Sequence, residues 1–133
     1  MAGRVLACAV ITALSAAACS NPIDALSSVR ITRQSPLLHL PSLIRVETDT
    51  ATVQRLVRDI ESLPTPKPGR YACPGDDGDT YTLTFTNPHG DVRVATVQAS
   101  GCGFVTGFDG TTLWGAASPL LTDLADVLQS PVQ

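Results

Sequence analysis

Four cysteines, at positions 8, 19, 73 and 102, are the most reactive side chains of this 133-residue sequence. A thiol can accept a lipid, form a disulfide or bind a metal, and the position of each cysteine helps to decide among these outcomes. Cys73 and Cys102 have no C-x-x-C spacing and no adjacent histidine, which disfavours a redox-active or metal-binding pair. Cys8 and Cys19 fall in an apolar N-terminal segment that needs a separate explanation.

The first eighteen residues have the layout of an export signal. Arg4 provides a positive charge, an apolar stretch runs from Val5 to Leu14, and small residues follow. The apolar run, about fifteen residues at most, is shorter than the roughly 20 residues that a membrane-spanning helix needs. We therefore expect residues 1–18 to be a signal peptide that is removed together with Cys8.

The segment Ala16-Ala17-Ala18-Cys19 resembles the bacterial lipobox, which directs acylation of its cysteine, commonly with palmitate, and cleavage just before it. Position 16 is usually leucine in that motif and is alanine in this sequence. Ala16 and Ala18 also form an A-x-A site, so cleavage without acylation, and hence secretion, is the alternative. The sequence predicts a lipoprotein anchored through Cys19 to the lipid bilayer, on the outer face of the cytoplasmic membrane, because a multiply acylated cysteine anchors stably.

Carboxylates and histidines are the other candidates for chemistry. Asp76, Asp77 and Asp79 are a candidate acidic binding surface, whereas no EF-hand calcium loop that starts at any of them ends at glutamate. His39 lies among leucines and is expected to be a partly buried packing residue, and His89 lies in a turn. No nucleophile motif, cofactor motif or metal pattern is present, so we predict no catalytic residue, no metal and no cofactor.

The distribution of charge excludes some partners and suggests others. The formal net charge is −3, and an excess of acid argues against a nucleic-acid partner. Residues 20–70 carry seven bases and five acids, and residues 71–133 carry one base and seven acids. The two halves either pack together through complementary surfaces, or the acidic half meets a cationic partner or a metal ion.

Apolar periodicity predicts two helices. Asp49 or Thr50 is a suitable N-cap, and apolar residues recur at helical spacing until Pro64 ends the pattern. Ser118 and Pro119 begin a second helix as N-cap and first residue. The predicted apolar faces of the two helices are Val53, Leu56, Val57, Ile60 and Leu63, and Leu120, Leu121, Leu124, Val127 and Leu128.

Alternating segments predict the strands. Thr80–Thr86 is the clearest, since Tyr81, Leu83 and Phe85 alternate with threonine. The next strand contains Val92, Val94 and Val97, and its broken alternation predicts a bulge near Ala95. The remaining candidates are residues 29–32, residues 43–47, and a hairpin of Phe104–Phe108 with Thr111–Gly115.

These elements predict an α+β fold, with an antiparallel β-meander covered by two helices and one disulfide. Residues 19–28 are expected to form the lipidated cysteine and a tether, and residues 29–133 a single domain. Tyr81, Phe104, Phe108 and Trp114 are expected in the core rather than in a ligand-binding cage, because a chain of about 115 residues needs its few large side chains inside.

Cys73 and Cys102 remain as a pair once Cys19 carries lipid in an oxidising compartment. They flank a predicted antiparallel hairpin, which returns its two ends to the same place. We therefore predict a Cys73–Cys102 disulfide, which would contribute about 3.5 kcal/mol by closing a loop of about thirty residues.

A set of spaced residues between Leu63 and Cys102 resembles a recurrent pattern in small exported lipoproteins of actinobacteria. The set is Leu63-Pro64, Pro68-Gly69, Tyr71, Cys73-Pro74, Asp77-Gly78, Tyr81, Leu83, Phe85 and Gly101-Cys102. The likeness covers residues 44–128 and implies export and paired cysteines. It implies no activity and no catalytic residue.

The sequence as a whole predicts a non-catalytic binding module at the cell envelope, with an envelope protein or a cationic ligand as its partner. The alternatives are a small secreted hydrolase that uses His39 or His89 with an aspartate, and a protein that resembles a protease inhibitor.

The intact mass of the protein from the native host's membrane fraction tests the predicted processing. We expect a chain that begins at Cys19, carries acyl groups, and is two hydrogens lighter because of the disulfide. Free thiols at Cys73 and Cys102 would contradict the disulfide, and an unacylated Cys19 would contradict the anchor.

Overall fold

The computed structural model describes residues 26–115 and 119–129, which form one antiparallel sheet and two helices. The predicted α+β fold is confirmed, while the signal peptide and Cys19 lie outside the described residues. The elements, in chain order, are β1 (Ser28–Gln34), β2 (Leu43–Glu47), α1 (Thr50–Glu61), β3 (Thr80–Thr86), β4 (Val92–Gln98), β5 (Phe104–Thr106), β6 (Thr112–Trp114) and α2 (Leu120–Leu128).

The strand order across the sheet is β2-β1-β3-β4-β5-β6. Strands β3 to β6 follow one another as a meander, whereas β1 lies between β2 and β3. In β1, Ile31 pairs with Arg45 on one side and with Leu83 on the other. The chain therefore leaves β2, forms α1 and returns to the far side of β1.

Both helices pack against one face of the sheet, which we call the inner face. Strand alternation places Val29 and Ile31 of β1 on this face, beside Leu83 and Phe85 of β3. The core consists of inner-face residues, the apolar faces of both helices, and two residues next to the elements. Its members are Leu26, Val29, Ile31, Val53, Leu56, Val57, Ile60, Leu63, Tyr81, Leu83, Phe85, Ala95, Val97, Val105, Leu120, Leu124, Val127 and Leu128.

The boundaries of the helices have local causes. Asp49 is the N-cap of α1, and its carboxylate accepts hydrogen bonds from the backbone N–H and the hydroxyl of Thr52 at 2.9 and 2.6 Å. These bonds satisfy one of the free N–H groups at the helix start and lower the pKa of Asp49. The helix ends at Glu61, shortly before Pro64, which cannot continue it. Pro119 immediately precedes α2, and the predicted N-cap Ser118 lies outside the described residues.

The predicted bulge near Ala95 is wrong. Strand β4 pairs with β3 residue by residue, from Val92 opposite Thr86 to Gln98 opposite Thr80. Ala95 and Val97 point to the inner face, whereas Val92 and Val94 point to the opposite face. The alternation looked broken because both faces of this strand carry apolar residues.

Two predictions about the first half of the domain need correction. The tether was predicted to extend to residue 28, but Leu26 is buried in the core, and Gln54 Nε2 donates to its carbonyl at 2.7 Å. His39 was predicted to be partly buried, but it is exposed in a turn with a φ of 50°. Its neighbours Leu37 and Leu38 are exposed as well, so this segment contributes no apolar surface that could cover an imidazole.

Two carboxyl groups face each other where α1 meets α2. Asp59 lies next to Asp123, and Arg55 Nε is 3.4 Å from Asp123 Oδ2. Burial first, and then the neighbouring Asp123 carboxyl group, raise the pKa of Asp59 from 3.8 to about 6. The folded chain therefore binds the Asp59 proton more tightly than the unfolded chain does, so stability falls as the pH rises from about 4 to about 6.

Replacing Asp59 with asparagine should stabilise the protein at neutral pH, because the amide removes the charge that Asp59 acquires there. We expect a gain of about 1 kcal/mol in the free energy of unfolding at pH 7, allowing for solvent screening, and a smaller gain at pH 4. Urea denaturation at both pH values measures it. Glu61→Gln is the control on the exposed side of α1, and an equal gain from both variants at pH 7 would contradict the assignment to the carboxyl pair.

Candidate functional site

The sheet face opposite the helices, which we call the open face, is covered by neither helix. It carries the outward residues of all six strands, and a row of threonines crosses it. Register places one threonine of five successive strands side by side: Thr32, Thr82, Thr96, Thr106 and Thr112. Neighbouring strands are about 4.8 Å apart, so the row presents side-chain hydroxyls at that interval.

An aromatic cluster lies at one end of the open face. Phe104 of β5 and Trp114 of β6 are directly opposite each other. The ring of Tyr71 packs against both, with centroid distances of 5.4 Å to Phe104 and 6.3 Å to Trp114 in edge-to-face geometry. Tyr71 and Trp114 are each about two-fifths exposed, at 41% and 42%, so this cluster is accessible.

The prediction that Phe104 and Trp114 belong to the core is therefore wrong. Val105 of β5 and Leu113 of β6 occupy the inner positions, and strand alternation turns Phe104 and Trp114 outward. The same prediction is confirmed for Tyr81, which is fully buried. Phe108 also packs against the core, with its ring centre 5.4 Å from that of Phe85.

The segment after α1 passes round the edge of the sheet and brings Tyr71 to the open face. It begins in the core at Leu63, and the carbonyl of Pro64 accepts a hydrogen bond from the N–H of Trp114 at 2.8 Å. This bond covers part of the β6 edge, which would otherwise be free to pair with another strand. Further along, the Tyr71 hydroxyl donates to the carbonyl of Lys67.

The predicted disulfide is present and fixes this arrangement. Cys73 and Cys102 are bonded, with their Cα atoms 4.8 Å apart, and Cys102 Sγ is 3.6 Å from the carbonyl oxygen of Ala72. Cys73 follows Tyr71 by two residues, and Cys102 precedes Phe104 by two. The crosslink therefore holds the segment with Tyr71 against the turn that leads to Phe104.

A groove of about 320 Å³ lies on the open face beside the aromatic cluster. Phe104 lines the side of the groove that adjoins the aromatic cluster. Gln98 also lines the groove and lies opposite Phe104 on the neighbouring strand β4, where its Oε1 accepts the N–H of Phe104 at 3.3 Å. The other lining residues are all threonines: Thr80, Thr96, Thr106 and Thr112. The groove is thus lined by neutral hydrogen-bonding groups and one aromatic ring.

The carboxylates predicted as an acidic surface are mostly engaged in hydrogen bonds within the protein. Asp77 Oδ1 accepts hydrogen bonds from the Ser100 hydroxyl at 2.5 Å and from the Asp79 N–H at 2.9 Å, and these bonds lower the pKa of Asp77. Asp76 is exposed, and its Oδ1 accepts the N–H of Gly78 at 3.0 Å. A side chain at Gly101 would place Cβ 2.8 Å from that of Asp76, so the two loops are closely packed.

Asp79 is buried, with only 1% of its surface exposed, so its predicted place on an acidic surface is wrong. Its Oδ1 accepts the hydroxyl of Ser35, whereas its Oδ2 has no hydrogen-bond partner among the described residues. Its carbonyl accepts the N–H of Ala99 at 3.0 Å. Asp79 therefore joins the ends of β1, β3 and β4. Of the three predicted carboxylates, only Asp76 and Asp77 lie near the surface.

The histidines show no catalytic arrangement in residues 26–115 and 119–129. His39 and His89 are both exposed in turns, and neither imidazole takes part in a hydrogen bond or ion pair within those ranges. The described part of the chain also has no group of three or more His, Cys, Asp or Glu side chains that could hold a metal.

A second cavity, also of about 320 Å³, lies on the other side of the sheet between the end of α1 and the β5–β6 turn. Phe108 and Leu113 line it together with Asp109, and the backbone N–H of Thr111 donates to Asp109 Oδ1 at 2.9 Å. That bond lowers the pKa of Asp109. Glu61, at the end of α1, also lines this cavity, so only one of its two charged residues, Asp109, serves the hairpin turn.

No family model, curated protein or solved structure matches the chain. Within the described residues, no helix has the length and apolar character needed to cross a bilayer. The geometry of the open face is therefore the main guide to what this chain does.

Removing the disulfide should destabilise the protein and loosen the aromatic cluster. For the double variant Cys73→Ser/Cys102→Ser, we expect a loss of about 3.5 kcal/mol in the free energy of unfolding, measured by urea denaturation under oxidising conditions. Trp114 is the single tryptophan of the chain, so its emission should shift to longer wavelength as Tyr71 moves away. Ser62→Ala, an exposed change outside the crosslinked loop, serves as the control. An unchanged emission spectrum in the folded double variant would contradict a positioning role for the disulfide.

Proposed function

We propose that this protein is a non-catalytic binding module of the bacterial cell envelope, exported and anchored through a lipid on Cys19. The single observation that supports binding best is the cluster of the exposed Tyr71 and Trp114 with the partly buried Phe104, beside the groove on the open face. Clustered apolar side chains at a protein surface often mark interaction sites, and aromatic residues are enriched where proteins bind partners.

Two features of the structure support export and an interaction role. The Cys73–Cys102 disulfide suits an oxidising compartment outside the cytoplasm. Among the described residues, His39 and His89 are exposed in separate turns, and neither imidazole is hydrogen-bonded to a carboxylate that would orient it as a catalytic base. These features favour a binding role over the hydrolase alternative.

The open face is a better candidate binding surface than the segment with Asp76, Asp77 and Asp79, which we call the acidic loop. Asp79 is buried and Asp77 is half-buried and bonded to Ser100, which leaves Asp76 as the one exposed residue of the three. The aromatic cluster, in contrast, is accessible. Its rings pack edge to face, and the disulfide holds them in place. A cationic partner is therefore not part of this proposal.

Sedimentation with isolated cell envelopes tests the proposal. The probe is the exported Cys19→Ala chain, which lacks the lipid, so that the anchor cannot contribute to binding. We expect this chain to sediment with envelopes of the native host, and Tyr71→Ala/Trp114→Ala to reduce the bound fraction by about tenfold, as loss of aromatic anchors commonly does.

Matched variants show which face is responsible. Ile44→Ala removes another exposed apolar residue of the open face, on β2 and remote from the cluster, and should leave binding unchanged. Asp76→Lys should also leave it unchanged. If Asp76→Lys abolishes sedimentation while Tyr71→Ala/Trp114→Ala does not, the acidic loop is the binding surface. A hydrolytic activity on envelope material that is lost in His39→Ala or His89→Ala would contradict the non-catalytic proposal.

A further inference from the structure

We propose that the open-face groove and the adjoining aromatic cluster bind a neutral glycan, with sugar rings against the aromatic side chains and sugar hydroxyls in the threonine-lined groove. This inference rests on the binding function proposed above and names the chemical class of its ligand. It follows from three properties of the groove: its lack of charge, its supply of hydrogen-bonding groups, and its position beside exposed rings.

The groove has no charged lining residue. Four threonines, Gln98 and Phe104 form its walls and floor. A phosphate, a carboxylate or an ammonium group would leave water there without gaining an opposite charge, which is unfavourable. A ligand whose polar groups are neutral hydroxyls does not have to remove a charge from water when it binds. The uncharged lining therefore favours a sugar over an anionic or cationic ligand.

The lining residues can both donate and accept hydrogen bonds. The hydroxyls of Thr96, Thr106 and Thr112 make no hydrogen bond to another group in the described ranges, 26–115 and 119–129, and each can give one proton and accept two bonds. Gln98 Oε1 accepts the N–H of Phe104, and its amide group supplies N–H donors besides. Thr80 donates to the carbonyl of Gly78 at 3.2 Å, so its oxygen remains an acceptor.

This mixture matches a sugar hydroxyl, which also donates one bond and accepts others. The groove volume of about 320 Å³ is at the lower end of the roughly 300–1,000 Å³ range of small-ligand sites. It therefore suits a short stretch of a glycan. The threonine row continues through Thr82 to Thr32, so a longer chain that crosses the strands would meet one hydroxyl about every 4.8 Å.

The aromatic cluster supplies the apolar part of the site. The C–H-rich face of a pyranose ring packs well against an aromatic ring, because that ring has a negative face. Phe104 is shared by the cluster and the groove, and Trp114 is opposite it with 42% of its surface exposed. One ligand can thus contact a ring and the threonines at the same time.

Titration calorimetry with neutral tetrasaccharides tests the inference. The probes are the β-1,4-linked tetramers of N-acetylglucosamine and of glucose, and the α-1,6-linked tetramer of mannose, each added to the exported Cys19→Ala chain. We expect at least one to bind with a Kd on the order of 1 mM or below. Trp114→Ala should weaken that binding about tenfold or more.

Threonine-to-valine variants separate hydrogen bonding from shape. Valine has the same shape as threonine without the hydroxyl and is at least as compatible with a strand. Thr106→Val lies in the groove and should weaken binding by roughly two- to tenfold for one lost hydrogen bond. Thr84→Val lies on the same face, opposite Val94 and outside the groove, and should leave the Kd unchanged.

The outcomes distinguish this inference from the proposed function. If the chain sediments with envelopes but none of the three tetrasaccharides binds at about 10 mM, the glycan inference is wrong and the binding function stands. Binding that is equally strong in Trp114→Ala and Thr106→Val would also overturn the inference, because the ligand would then occupy another surface. Failure of both sedimentation and tetrasaccharide binding would overturn the two together.

Discussion

The packing of α1 and α2 against the same face of one sheet is the constraint on which the rest of this structure depends. It buries the inner residues of β1, β3 and β4, with Ile31 and Leu83 paired at the centre. Since successive strand residues point to opposite faces, every burial on the inner face assigns the neighbouring residue to the open face. The threonine row and the outward position of Trp114 are thus consequences of how the core is filled.

The disulfide connects stability to the candidate site. In a domain this small, a bond that closes a loop of about thirty residues contributes a large share of the net stability. The same bond joins the segment that carries Tyr71 to the turn before Phe104. Crosslinking close to the aromatic cluster limits the motion of its members, and a preorganised surface loses less entropy when it binds a ligand.

The residues of the acidic loop show why an abundance of charge is a poor guide to a binding surface. Asp77 and Asp79 stabilise turns and strand ends through Ser100, Ser35 and Ala99. Asp76 and Asp77 also accept the N–H groups of Gly78 and Asp79 two residues further on, as short polar side chains in turns commonly do. The open face, which carries few charges, offers more surface to a ligand because its groups are less engaged within the protein.

The amino-acid pattern by itself determined the secondary structure, the α+β class and the pairing of Cys73 with Cys102, because these depend on local periodicity, on capping and on the few partners open to a thiol. The bounds of β2 and β3 and the N-cap Asp49 also agree with the prediction. The tertiary structure alone decided which side of the sheet the residues of the short strands β5 and β6 meet. In short segments such as β5 and β6, both sets of alternate positions carry apolar residues, so the sequence does not show which set is buried. Val105 and Leu113 pack inward in the fold, and this turns Phe104 and Trp114 to the open face. The candidate site exists only as a product of that choice, since its members come from five separate parts of the chain, the segment with Tyr71 and strands β3 to β6, that the fold brings to one face.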